Sequence, residues 1–330
     1  MSKKFLNILL FTIGLGLLAA CGSKDVRKPQ GLVADQVEVV PLYRYFAERD
    51  SASVMSRPEL LRTFLEVVHY PTDSLSSGAL YWCTSLPVRV FTPAVDSIFG
   101  PEGAPLDKYV GYTLAAARAE GLPLPRRTYA AVVYGRREPM GFSDSTMLIA
   151  LNHYLGADYE GYQGFPMYER VLKIPSQIPY DIAEALVGTE RPYQAPADGA
   201  TVLSRMLYGG ATGYARYALV ENSTEAAALG YSDEQWAWLL EHEGELWREL
   251  IAKKLLYDTD PQTAQKLVDP TPATTILSMY SPGRVGRFLG YRMVCRYLEK
   301  HPEASVATLL SPDFYNNPAI LDEIEYSPGN

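Results

Sequence analysis

A chain of 330 residues, 47% hydrophobic and 21% charged, holds enough apolar material for one large core or two moderate ones. Its formal charge is -8, with 38 acidic residues against 30 basic ones. That balance excludes the nucleic-acid-binding classes, whose domains carry a basic face for phosphates.

The chain opens with Lys3 and Lys4, followed by an apolar run from Phe5 to Ala20. The run is too short to remain a membrane span and reads as a signal peptide over residues 1–20. Leu18-Ala19-Ala20-Cys21 is similar to the lipobox of bacterial lipoproteins. It predicts cleavage before Cys21, acylation of that cysteine and a lipid membrane as the first partner. The expected location is the cell envelope of a Gram-negative bacterium, facing the periplasm. Gly22-Ser23-Lys24-Asp25 is not the acidic run that marks some surface lipoproteins, and surface exposure stays open. Residues 21–35 read as a mobile lipidated tether and 36–330 as one folded domain. Cys83 and Cys295 then leave two readings, a disulfide or two small buried hydrophobes.

Val37 to Phe46 is rich in β-branched and aromatic residues and predicts a strand broken by Pro41. Helical spacing predicts a helix over Arg57 to His69, with His69 at its end. Prolines and glycines between Thr72 and Pro105 predict short helices and loops, and a helix over Asp107 to Glu120 stops at Gly121. Thr128 to Gly135 and Met147 to Leu151 read as buried strands. His153 follows the second of them, either hydrogen-bonded within the fold or lining a pocket. Tyr159, Tyr162, Phe165 and Tyr168 crowd the next loop, where they pack onto the core or offer a stacking surface to a sugar or peptide.

The most informative stretch is Ile178 to Val187. A zinc peptidase of the HExxH type places two histidines one helical turn apart with a glutamate beside the first as base. Here the frame reads Ala183-Glu184-x-x-Val187, so alanine and valine stand where imidazoles are required. Gly188 is expected to end this helix, and Asp198 to cap a second one running through Tyr217. On the same template Gly209, next to Tyr208, falls near a third ligand position and supplies no donor. Ala183, Glu184, Val187 and Gly209 are therefore the vestigial positions of an emptied zinc site.

Ser232 and Gln235 form a capping box for a helix expected to reach Tyr257, with Trp236, Leu239, Leu240, Trp247, Leu250 and Ile251 as its apolar stripe. Glu243 falls inside that stripe, as a pocket acid or as the partner of an arginine. Ser281 is expected to cap the last strong helix, on which Gly283, Gly286 and Gly290 share a face that admits a neighbouring backbone. Arg284 at that helix start is placed to hold an anion, and Tyr291 is a further candidate partner contact.

These pieces carry a resemblance. Leu18-Ala19-Ala20-Cys21, Ala150 to Tyr159, Ile178-Pro179, Met206-Leu207-Tyr208, Gly230 to Trp236 and Ser281 to Gly286 occur in this order. In that order they resemble the gliding-motility-associated lipoprotein family GldB of Bacteroidetes, itself similar to predicted zinc-dependent proteases. The resemblance implies an α+β, mainly helical, zincin-like single domain with a small sheet. It implies a glutamate after Met-Leu-Tyr, where this chain has Gly209. It further implies a membrane-anchored envelope protein associated with motility or envelope machinery, and with the emptied ligand positions the expectation is a non-catalytic protein without metal or cofactor that binds a protein or peptide partner. A metallopeptidase with unconventional ligands and a glycan-binding module are the alternatives.

Overall fold

The computed structural model of the protein describes residues 27–329, and its first element is shaped by a missing donor. Pro41 has no N–H for a ladder, so strand β1 spans only Val39–Val40. Leu42, Tyr43 and Phe46 then bury at helical spacing, and the second half of the strand expected over 37–46 is helix α1 (Leu42–Ala47). Ahead of it, the described part of the segment expected as a tether, residues 27–35, lies against the body. The Tyr214 hydroxyl donates to the Arg27 carbonyl (2.7 Å), Lys28 Nζ to the Ser223 carbonyl (3.0 Å) and the Asp35 amide to Gly111 O (3.0 Å). The expected signal peptide and the acylation site at Cys21 lie outside the described residues.

Helices α2 (Ser51–Met55), α3 (Pro58–Val67), α4 (Leu75–Trp82), α5 (Leu86–Phe99) and α6 (Leu106–Ala119) follow. The stretch expected as short helices and loops holds a 14-residue helix, α5, that continues through Pro93. Val88, Thr92 and Val95 bury one face of it, and that packing outweighs the single backbone hydrogen bond that the exposed proline removes. Phe46, Phe64 and Trp82 meet beneath these helices, with ring centroids 5.1 and 4.8 Å apart for the two pairs that Phe64 makes.

Strands β2 (Thr128–Val132), β3 (Met140–Phe142) and β4 (Thr146–Ala150) complete a four-stranded sheet in the order β1-β2-β4-β3. β2 runs parallel to β1 and β4, with Ala130 opposite Leu148, and β3 is an antiparallel edge strand. The two longer strands match the sequence reading. β3 has only three residues, one of them Gly141, too little pattern to be legible.

The remaining helices are α7 (Met167–Arg170), α8 (Ile178–Glu190), α9 (Val202–Leu219), α10 (Glu225–Leu229), α11 (Asp233–Ala252), α12 (Pro261–Val268), α13 (Val285–Lys300), α14 (Val306–Leu309), α15 (Pro312–Tyr315) and α16 (Ile320–Ile324). Architecture among the described residues is thus α+β, mainly helical with a small mixed sheet. Gly188 does not end α8, which runs on to Glu190; a helical glycine costs only about 1 kcal/mol. Thr201, not Asp198, caps α9 by accepting from the Ser204 amide (3.2 Å). The capping box at Ser232 is present, but the buried stripe of α11 is Leu239, Glu243, Leu246 and Leu250, with Leu240 and Ile251 exposed, and the helix stops at Ala252.

Ser281 does not cap α13. Its hydroxyl bonds the Thr274 and Ser278 carbonyls, while Thr274 Oγ1 accepts from the Val285 amide (3.0 Å) and Arg284 takes the capping position. The glycine face of α13 does admit a neighbouring backbone: a Cβ on Gly290 would lie 1.8 Å from Met206 O on α9. Cys83 and Cys295 are free, buried thiols.

Two hydrophobic cores result. One joins the first helices to the sheet, and the other joins α9, α13 and the C-terminal helices. Helix α8 divides them, turning Ile182 and Leu186 into the first and Ala183 and Val187 into the second.

Candidate functional site

The face of α8 left over after both cores are served carries Gln177, Asp181, Glu184 and Gly188. Their spacing of four, three and four residues makes one helical stripe, begun at the residue before the helix. This stripe floors a cleft of about 1000 Å³, whose other walls come from 137–139, 168–173, α9, α12 with the loop after it, and the start of α13.

Glu184 sits at the centre, its side chain 36% open to the cleft. Arg287 Nη2 donates to its Oε1 (2.9 Å), and Arg216 Nη1 donates to its Oε2. Burial alone would raise this carboxyl, but the Arg287 and Arg216 guanidinium charges overcome it and hold the group at about 2. Asp181 lies beside the pair, 3.6 Å from Arg216, accepting from the Tyr154 hydroxyl (2.9 Å) and Gln177 Nε2 (3.2 Å). Burial pushes its carboxyl up, and Arg216 offsets this only in part. Arg216 and Arg287 are 4% and 9% exposed, and the Nε of each has no hydrogen-bond partner. Arg287 depends on Glu184 for its countercharge, and Arg216 shares Glu184 with Asp181.

Ala183 and Val187 are 0% exposed and face the second core, away from the cleft. Gly209 does line the cleft, and a Cβ there would press on Val268 at 3.1 Å with the Arg287 stem next. The glycine makes room for Val268 of α12, while the stem of Arg287 would lie at ordinary contact distance. Tyr208 lines the same wall, donating to Arg191 O (2.9 Å) and packing its ring on Tyr193 and Tyr315.

His153 is buried at the cleft edge between Lys173 Nζ, 3.0 Å from Nδ1, and the Arg136 carbonyl, 3.0 Å from Nε2, which places its proton on Nε2. Burial and then the Lys173 charge press the imidazole down to about 4. The aromatic loop packs inward: Tyr162 is 4% exposed and donates to Asn152 O (2.7 Å), with Tyr159 and Phe165 against its ring.

Two expected site residues are elsewhere. Glu243 is closed off between α11, α13 and the C-terminal segment, with Arg292 Nε at 3.0 Å and the Tyr326 hydroxyl at 2.7 Å. Tyr291 is fully buried and donates to Glu225 Oε1 (2.9 Å). Neither borders the cleft. Arg284 does, and its backbone is left-handed (φ 62°), clamped by the Tyr231 hydroxyl bonding the Gly283 and Arg284 carbonyls (both 3.0 Å). The sequence reading missed Arg216, Arg287 and Asp181. A signal for Arg216 was there, a lone charge in the small and aromatic run Gly213 to Ala218, which a buried partner must balance.

Among the described residues no three histidine, cysteine, aspartate or glutamate side chains gather closely enough to hold a metal ion.

The family model described as "Gliding motility protein GldB" matches residues 120–328, more than half of the chain. The chain belongs to the GldB family. No curated protein and no solved structure matches it. Every residue lining the cleft, from Arg137 to Arg287, lies inside the GldB match, whereas α1 to α5 lie before it.

Proposed function

We propose that this GldB-family chain is a non-catalytic envelope lipoprotein, anchored through acylated Cys21. It uses the cleft of a zincin-like fold to hold a protein or peptide partner of the gliding-motility or envelope machinery. The observation that carries the reading is the double ion pair at Glu184. A general base works best with a pKa near the operating pH and a free oxygen turned to water or substrate. Glu184 is held at about 2 with both oxygens engaged by guanidinium groups. A carboxylate so paired is a poor proton acceptor and a good structural anchor. The zincin-like part rests on chain order: a mixed sheet with an antiparallel edge strand, then two helices that border the cleft.

Membrane association is tested with Cys21→Ala, which is expected to move the protein out of the membrane fraction. Partner binding is tested with a photo-crosslinking residue at Arg137 on the cleft rim or at Arg62 on α3, which does not border the cleft, in the full chain in its native membranes. A discrete adduct from position 137 and none from 62 is expected. Equal labelling from both positions overturns the cleft as the partner site. Elemental analysis of the chain purified without chelators is expected to find close to no zinc. One zinc per chain, with peptide hydrolysis that Glu184→Gln abolishes, brings the metallopeptidase forward instead.

A further inference from the structure

The charge inside the cleft is opposite to that of the chain. Six cationic side chains line it, Arg137, Lys173, Arg205, Arg216, Arg284 and Arg287, against four carboxylates, in a protein of formal charge -8. The carboxylates are already committed. Glu169 pairs with Arg137 (2.9 Å), and Asp181 and Glu184 serve Arg216 and Arg287. Asp269, its carboxyl raised by burial, has only Arg205 near it.

Arg284 is left without a carboxylate. Its one hydrogen bond runs from Nη2 to the Gly230 carbonyl (2.9 Å), and the guanidinium lies over the Tyr231 ring, 5.5 Å from the centroid. Gly230 is what allows this placement, since a Cβ there would come within 2.9 Å of Arg284 Nη2. A non-glycine residue with φ near +60° carries backbone strain of order 1–3 kcal/mol, which persists only where surrounding structure imposes it. Here the Tyr231 hydroxyl imposes it, and among the described residues the guanidinium has no hydrogen-bond acceptor other than the Gly230 carbonyl.

We infer that the cleft takes an acidic segment of a peptide, one carboxylate of which pairs with Arg284 next to the Glu184–Arg287 pair. This rests on the cleft being the partner site. Glu184 shows the chemistry, since a carboxylate already meets guanidinium groups there through one oxygen each. At about 1000 Å³ the cleft is far larger than one small anion, and Pro261, Pro270, Pro272 and Tyr168 give it rigid apolar walls suited to a chain. Its concavity fits a peptide segment rather than a nucleic acid backbone, which needs an extended basic face that a chain of formal charge -8 does not offer.

The test measures binding of short labelled peptides of equal length to the full chain by fluorescence anisotropy, with glutamate, glutamine or lysine at alternate positions between glycines. The glutamate peptide is expected to bind at least about tenfold more tightly than the glutamine peptide. Arg284→Gln removes that preference, Arg284→Lys restores part of it, and Arg62→Gln leaves it intact. Thermal melts establish that each variant is folded, and Arg284→Lys carries the test if Arg284→Gln is not. Equal binding of the glutamate and glutamine peptides overturns the inference while leaving a neutral partner for the cleft. A preference that survives in folded Arg284→Gln overturns the assignment to Arg284. Displacement by inorganic phosphate well beyond the effect of chloride at equal ionic strength means a small-anion site and also overturns it. Failure of all three peptides to bind overturns it too, and the Arg137 crosslink then decides whether the cleft holds a partner of any kind.

Discussion

Two of the carboxylate–arginine clusters among the described residues, at Glu243 and at Glu184, differ more in their settings than in their chemistry. Glu243 meets Arg292 and Tyr326 where α11, α13 and the C-terminal segment close over it, and its side chain is 11% exposed. Glu184 meets Arg216 and Arg287 with its side chain 36% open to a large cleft that holds further, uncompensated cations. A buried ion pair is therefore not in itself a sign of function. The surplus charge and the space beside the pair are what make the Glu184 cluster a site.

One crossing positions both clusters. Helix α9 supplies Arg216, and α13 supplies Arg287 and Arg292 one turn and a half apart. Gly290 lets their backbones touch, so Gly290→Val should have the largest effect of any substitution considered, more than about 4 kcal/mol or outright loss of soluble protein in a urea titration. A variant of near-normal midpoint would show that α9 and α13 can separate without disturbing either cluster.

The two clusters should part company under apolar replacement. Glu243→Ala alone leaves Arg292 without its countercharge and is expected to cost about 3 kcal/mol. Exchanging both, Glu243→Met with Arg292→Met, should return stability to within about 1 kcal/mol of the parent and leave peptide binding unchanged. Exchanging Glu184, Arg216 and Arg287 for Leu, Met and Met should instead weaken the preference for the glutamate peptide that Arg284 carries, even where the fold survives. If the sealed exchange weakened that preference as much, the contrast between the clusters would be lost.

Acid should act on the cleft side first. His153 is 3% exposed and is held down at about 4 against an ordinary value near 6.5, so the unfolded chain takes up a proton in that interval that the folded one refuses. Stability falls as pH drops from about 6.5 to 4, by on the order of 3 kcal/mol. Glu184, depressed to about 2, extends the loss from its ordinary carboxylate range downward, while the raised Asp181 carboxyl works in the opposite sense. His153→Gln should flatten the first interval, as read from urea midpoints across pH. The smallest effect belongs to Gly188→Ala. A Cβ there meets nothing, and the helix should gain up to about 1 kcal/mol, seen as a slightly higher melting temperature.

How much of this was legible in the sequence follows from the range of the interactions. The capping box of α11 and the glycine face of α13 were readable because helical spacing alone places them; that Glu243 needs an arginine was readable from its place in an apolar stripe, but Arg292, 49 residues away on α13, was not. Pro41 and Gly188 were given the wrong weight. The proline was read as a break in a strand when it ended one after two residues, and the glycine as a stop when packing carried the helix past it. Glu184 was found from its motif frame, but its meaning was not. Its partners are 32 and 103 residues away, and only the α9–α13 crossing brings them to it. The motif also predicted emptied ligand positions, whereas Ala183 and Val187 are ordinary core residues and Gly209 is the place where α9 packs against Val268.

The central claim is that Glu184 anchors two buried arginines and does not act as a base, and the unfolding free energy of Glu184→Gln by urea titration at neutral pH tests it most directly. The change preserves shape and removes the charge. A loss of about 2–3 kcal/mol is predicted, somewhat under the value for a fully sealed pair because the cleft admits water. An unchanged midpoint in a folded protein would mean that Arg216 and Arg287 do not need this carboxylate, and the account of the cleft would fail with it.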